Sequence, residues 1–77
     1  MKSIKNFTAI IEKEGDGYVA LCPELDIASQ GDTVEEAKVN LHEAIELFFE
    51  HASTNEIEYR LKADIFITNM QIAVGQA

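Results

Sequence analysis

The chain has one cysteine, few basic residues and no long apolar run, and each shortage excludes a class of protein. Cys22 cannot form an internal disulfide, whereas small secreted domains usually depend on several; it lies in an apolar run and is expected to be buried. No apolar stretch approaches the roughly 18 residues that a membrane-spanning helix needs. The N-terminal apolar run ends in charge after Ile11, too early for a signal peptide. We therefore expect a cytoplasmic protein without a membrane segment.

Basic residues are scarce, because six Lys and Arg stand against fourteen Asp and Glu, for a formal charge of −8. A surface of this sign repels phosphate, so direct binding to nucleic acid is not expected. An acidic surface suits a basic partner, although the same charge also keeps a protein soluble by mutual repulsion. The length of 77 residues predicts one domain over 1–77, and a domain of this size has a marginal core.

The patterns that are present predict an α+β fold of order β-β-β-α-β. Strands are predicted over about Lys5–Lys13, Tyr18–Cys22 and Ile27–Gln30, a helix over about Val34–His51, and a last strand over about Ile65–Val74. If the last strand runs parallel to the first, with the helix as a right-handed crossover, the sheet order is 3-2-1-4 with one helix on one face. The polar stretch at 56–64 is predicted to have only marginal helical character.

The start of the helix carries the clearest local signal. Gly31 and Asp32 precede Thr33, and Glu36 follows three residues later. This spacing predicts a capping box, in which the threonine hydroxyl accepts from the first turn and the glutamate reaches back. At 100° per residue the helix presents one apolar stripe, formed by Val34, Ala37, Leu41, Ala44, Ile45, Phe48 and Ala52.

Apolar residues occur at both odd and even positions of the first two predicted strands, so both faces of the sheet are partly apolar. One helix covers only one face, and a second copy or another protein is expected to cover part of the other. Val39 and Leu47 lie outside the apolar stripe of the helix and are candidates for self-association, although single exposed apolar residues are ordinary. A homo-oligomer is expected, with a dimer as the simplest form.

Patterns typical of catalysis and metal binding are missing. His42 and His51 are half a turn out of phase on the predicted helix and cannot chelate one ion together. The predicted element order is that of the first half of the ribonuclease H-like fold, whose chemistry needs carboxylates converging on divalent metals. The first strand has no acid in its interior, and the last offers Asn69 and Gln71 instead. We expect no enzymatic activity, no metal and no cofactor; the minor alternative is a degenerate nuclease that uses Glu43, Glu46 and Glu50.

Three blocks of sequence carry a family resemblance. They are Gly17-Tyr18-Val19-Ala20, then Pro23-Glu24-Leu25, then Gln30-Gly31-Asp32-Thr33-Val34-Glu35-Glu36-Ala37, followed by the amphipathic helix. In this order and spacing the chain resembles the N-terminal domain of HicB-family antitoxins of type II toxin–antitoxin systems. The resemblance covers roughly Phe7–Glu50 and extends more loosely to Phe66–Gly75. Many relatives have Pro-Gly-Cys where this chain has Asp26-Ile27-Ala28.

The resemblance implies a partial ribonuclease H-like fold without nuclease activity. Its function would be to bind and neutralise a HicA-like toxin, a small basic mRNA interferase, by occlusion. Longer HicB proteins carry a DNA-binding domain, and none is expected here. The candidate toxin-binding residues lie in and after the second strand, and they are Tyr18, Glu24, Asp26 and Gln30. The alternative is that Tyr18 belongs to the core and that the acids are solvated turn residues. A stand-alone oligomeric adaptor or regulatory domain without a toxin is the alternative function.

Overall fold

The described part of the chain contains three antiparallel strands and two helices. The structure is a computed structural model that describes residues 4–62 and 64–75. The elements in chain order are β1 (Ile10–Glu14), β2 (Gly17–Cys22), β3 (Ile27–Gly31), α1 (Val34–His51) and α2 (Thr54–Leu61). The predicted α+β class is confirmed, and the bounds of α1 are those predicted.

The sheet is a meander of order β1-β2-β3. Gly15, at φ +59°, turns the chain between β1 and β2, a backbone conformation that glycine adopts without strain. In the register, Ile11 lies opposite Ala20, and Ala20 lies opposite Ser29. Directly opposed residues share a face, so the even-numbered residues of β2 face α1, where Ala20 and Cys22 are fully buried.

β1 begins at Ile10, five residues later than the sequence predicted. The register that pairs Ile10 with Leu21 would place Thr8 opposite Pro23 if it continued. Proline has no N–H to donate to a ladder, so regular pairing ends near this point. The Thr8 backbone N–H donates instead to the carboxylate of Glu24, at 3.1 Å from each oxygen.

The core lies between α1 and the even face of β2. Its buried members are Ala20, Cys22, Leu25, Ala37 and Leu41. The predicted stripe of α1 packs on this core, except that Val34 at its start is 45% exposed. Leu25 was predicted only as part of a turn, yet it is fully buried and closes the core at the β2–β3 connection.

α2 occupies a stretch that was predicted to be a polar connection. Its N-cap is Ser53, whose hydroxyl accepts from the Glu56 backbone N–H at 3.1 Å. Arg60 fixes this helix to the rest of the molecule: its Nη1 donates to the Leu25 carbonyl, and its guanidinium carbon lies 5.3 Å from the centre of the Phe48 ring. The sequence predicted only marginal helical character for 56–64, although Ser53 and Glu56 repeat the spacing of Thr33 and Glu36.

The sheet order 3-2-1-4 is not confirmed, because the described sheet has three strands. Residues 64–75, which include the predicted last strand Ile65–Val74, have no regular secondary structure and are exposed. The first three positions of the predicted order agree with the meander. A strand needs a neighbour to satisfy its backbone groups, and this segment has no ladder partner within the described part of the chain.

Neither of the helices described here is both long and apolar enough to cross a lipid bilayer.

Candidate functional site

The helix-start motif joins β3 to α1 through a set of short hydrogen bonds. Thr33 is the N-cap of α1, and its Oγ1 accepts from the Glu36 backbone N–H at 3.0 Å. Glu36 Oε1 accepts in turn from the Asp32 backbone N–H at 2.9 Å. The predicted reciprocal cap is therefore present, with the glutamate reaching one residue before the N-cap.

Gly31 allows β3 and α1 to approach each other closely. A Cβ atom at this position would lie 2.6 Å from the Ala37 backbone nitrogen and 2.8 Å from the Glu36 carbonyl carbon. Both are backbone atoms that cannot move aside without shifting the helix. Asn40 adds a further tie, because its Nδ2 donates to the Gln30 carbonyl oxygen at 2.8 Å. The first turn of α1 thus packs closely against the end of the sheet.

An acidic cleft of about 490 Å³ lies at this junction. Its polar lining comes from Glu14 at the end of β1, Tyr18 on β2, Gln30 on β3, and Asp32 and Glu36 at the helix start. Three of these residues are acids, and their carboxylates are acceptors for a cationic side chain and for hydrogen-bond donors. Two of the four predicted toxin-contact residues, Tyr18 and Gln30, are among the residues that line this cleft. The register places their side chains on opposite faces of the sheet, and Tyr18 also packs against the core.

The other two predicted contact residues lie at the opposite end of the β2–β3 pair. Cys22 pairs with Ile27 at that end, whereas Tyr18 pairs with Gly31 at the cleft. Four residues of strand separate the two ends of β2, roughly 13 Å. Asp26 is exposed in the connection at φ +55°. The four residues do not form one cluster.

Glu24 is part-buried, and its carboxylate accepts from several donors. Besides the Thr8 N–H, its Oε2 accepts from the Thr8 hydroxyl at 2.6 Å, and its Oε1 accepts from the Cys22 thiol at 3.4 Å. Burial of the carboxylate raises its pKa, but the bonds from Thr8, from its own backbone and from Cys22 outweigh this, so the pKa of Glu24 lies below its ordinary value of 4.5. This residue ties the segment before β1 to the β2–β3 connection.

Cys22 is fully buried, as predicted. Burial raises the pKa of its thiol above the ordinary 9.0, and the neighbouring Glu24 carboxylate raises it further, while a backbone hydrogen bond involving Leu25 opposes the shift. A buried thiol with a raised pKa is a weak nucleophile. Within 4–62 and 64–75, no group of three or more His, Cys, Asp and Glu side chains is placed to hold a metal ion.

The remaining predicted residues lie on the outer surface of α1. Val39 is 57% exposed and Leu47 is 48% exposed. His42 pairs with Glu46 one turn along the helix, at 3.4 Å between Nδ1 and Oε1, on a surface where both side chains are largely solvent-exposed. These positions are available to a partner and make no contribution to the acidic cleft.

Sequence similarity to known proteins shows the family of this chain. A UPF0150 protein of Helicobacter pylori is 39% identical over 66 residues, which cover 84% of this chain and 92% of that protein. The chain belongs to the UPF0150 family. Two UPF0150 proteins of Synechocystis sp. are 57% identical over 51 residues and 56% identical over 45 residues. The UPF0150 chain spans 65% and 62% of the lengths of these two relatives. No protein-family model matches it, and no solved structure does.

Proposed function

We propose that this UPF0150 protein is a non-catalytic antitoxin of the HicB type, which binds a small basic HicA-like mRNA interferase and blocks its RNA-binding surface. The observation that carries the proposal is the acidic cleft, where two predicted contact residues, Tyr18 and Gln30, lie beside Glu14, Asp32 and Glu36. A toxin that binds RNA presents cationic side chains for phosphate. An acidic cleft is complementary to such side chains.

The charge of the whole chain supports the same proposal. A formal charge of −8 on 77 residues steers a basic protein toward the domain and raises its association rate. The hydrogen bonds and close packing between β3 and α1 favour a pre-organised cleft, and pre-organisation lowers the entropy that is lost on binding. The proposal includes the partial ribonuclease H-like arrangement, in which 65–74 takes the fourth position of the order 3-2-1-4, and it includes a homo-oligomeric state.

A binding experiment with the basic protein encoded beside this chain tests the proposal. Calorimetry of the purified pair is expected to show a stoichiometric complex whose affinity falls as salt is raised. Gln30→Lys adds one positive charge in the cleft and is expected to weaken binding by about tenfold or more. Glu43→Gln changes the net charge equally on the exposed outer surface of α1 and is the matched control.

Two results would contradict the proposal. The first is that no complex forms with a neighbouring basic protein at tens of micromolar concentrations. The second is that Gln30→Lys and Glu43→Gln weaken binding equally, since this would remove the cleft from the interface and leave only net charge.

A stand-alone oligomeric adaptor is the second candidate function. It is favoured by the exposed apolar residues of 64–75, among which Phe66 is 88% exposed and Met70 is 82% exposed. Such a segment fits self-association without any toxin. If the region of the genome around this chain encodes no small basic protein, and the chain self-associates, the adaptor hypothesis is preferred.

A further inference from the structure

α1 leaves the part of the sheet around β1 largely uncovered. The helix packs over β3 and β2 and much less over β1. Between α1 and the residues that precede β1 lies a groove of about 960 Å³. Its apolar lining includes Phe7, Ile45 and Phe49, and its polar lining includes Glu46 and Glu50 on α1. The rings of Phe7 and Phe49 stack with their centres 5.8 Å apart. We call this the β1-side groove.

The two edges of the sheet differ in their availability. At the β3 edge, the Gln30 carbonyl is already engaged by the Asn40 side chain. At the β1 edge, no further strand pairs with β1 in the sheet of the described chain. An unpaired strand edge presents a row of backbone N–H and C=O groups that another strand can pair with.

Residues 64–75 have the pattern of a strand that is missing its sheet. Alternation places four apolar side chains on one face, whereas the other face carries Ile65 and Ile67 together with the polar Asn69 and Gln71. Every described side chain of the segment is exposed. Asp64 is its only charged residue, so the segment can approach another acidic copy with little repulsion. The apolar face consists of Phe66, Met70, Ile72 and Val74, with Thr68 between them.

The molecule is longer than a compact domain of this chain length, and residues 64–75 are exposed throughout. The principal extents are 55 × 29 × 18 Å, whereas the 18-residue α1 is about 27 Å long. The radius of gyration is 15.5 Å, against about 11.5 Å for a compact domain of this length. An extended segment of twelve residues reaches at most about 40 Å, enough to account for the excess and to span a second sheet.

We propose that two copies of this chain exchange residues 65–74, so that each segment forms a strand along the β1 edge of the other copy. Its apolar face would fill the β1-side groove of that copy, next to Phe7 and Phe49. Each copy has one such segment and one open β1 edge. A two-fold symmetric dimer therefore pairs both segments with both edges and leaves none of them unpaired. The sheet order 3-2-1-4 is then completed by the strand of the partner. This inference does not depend on the binding of a toxin.

Isotope-filtered NMR on a mixture of labelled and unlabelled full-length chains tests the exchange. The expected result is a dimer by light scattering, with intermolecular NOEs between Met70 or Ile72 and the rings of Phe7 or Phe49. A monomer at 100 µM, or a dimer whose contacts between these residues arise only within one chain, would overturn the proposal.

A matched pair of variants tests which face of the segment is buried. Met70→Glu places a charge on the apolar face and is expected to weaken dimerisation by about tenfold or more. Gln71→Glu adds the same charge on the opposite face and is expected to change it less than about threefold. Equal effects of the two variants would contradict the assigned face. Circular dichroism is expected to show unchanged helix content, because the core described above does not include this segment.

Discussion

At the residue scale, Glu24 illustrates what a sequence can and cannot reveal. Its place after Pro23 predicts a turn, and the turn is present, but the sequence offers no way to know that Thr8, sixteen residues earlier, donates to its carboxylate. That contact depends on the β1–β2 register, whose continuation would place Thr8 opposite Pro23. A residue predicted to contact a toxin is therefore part of the internal hydrogen bonding of the domain.

The Glu24 contacts predict a specific pH dependence of stability. Because its pKa is lower in the folded protein than its ordinary value of 4.5, the ionised carboxylate stabilises the fold above pH 4.5. This contribution is lost as pH falls through the lowered pKa. Glu24→Gln is expected to be less stable than the wild type in urea unfolding at pH 7, with the difference shrinking below about pH 4.5. The same difference at pH 7 and pH 3 would contradict the account, and the exposed Glu43→Gln is the control.

Gly31 predicts a steric effect at a single position. In Gly31→Ala the new Cβ meets backbone atoms of α1 at 2.6 and 2.8 Å, so the helix must shift from the sheet, at a cost of about 1–3 kcal/mol. Thermal unfolding is expected to show a clear decrease in Tm. Gly75→Ala has nothing within 4 Å of the new atom and is expected to leave Tm unchanged. Equal Tm values for both variants would refute the close approach.

At the scale of elements, local signals predicted α1 with its observed bounds but gave α2 only marginal helical character. The capping box at Thr33 and Glu36 and the apolar stripe gave α1 its observed bounds, because both depend on residues a few positions apart. The same capping spacing at Ser53 and Glu56 marks the start of α2. Because α2 has only eight residues and a polar composition, its amphipathic pattern is a weaker signal than that of α1. The stabilising contact of α2 is long-range, from Arg60 to the Leu25 carbonyl.

Removal of the α1 cap is expected to have a measurable cost. Thr33→Ala deletes the acceptor of the Glu36 backbone N–H and should lower the free energy of unfolding by about 1 kcal/mol. Chemical unfolding followed by circular dichroism measures it. Thr54→Ala removes an exposed hydroxyl inside α2 and is expected to cost much less. A Thr33→Ala protein as stable as the wild type would mean that the cap contributes nothing.

At the scale of the whole molecule, the sequence predicted the meander and the packing of α1 but not the placement of the last segment. The alternation at 65–74 predicts a strand, whereas the structure has no regular secondary structure there; alternation does not say which sheet a strand would join, its own or that of another copy. Pairing over such a long distance depends on tertiary geometry that no local pattern contains. The candidate site divides similarly: Tyr18 and Gln30 lie in the acidic cleft, whereas Glu24 and Asp26 lie at the other end of β2.

The central claim, neutralisation of a basic RNA-cleaving partner by occlusion, is tested most directly by an inhibition titration. The neighbouring basic protein is incubated with RNA at fixed concentration while this chain is added up to a molar excess. The account predicts that cleavage stops at a stoichiometric amount, and that Gln30→Lys shifts the required amount upward while Glu43→Gln does not. Cleavage that continues undiminished at a tenfold excess of the wild-type chain would contradict it.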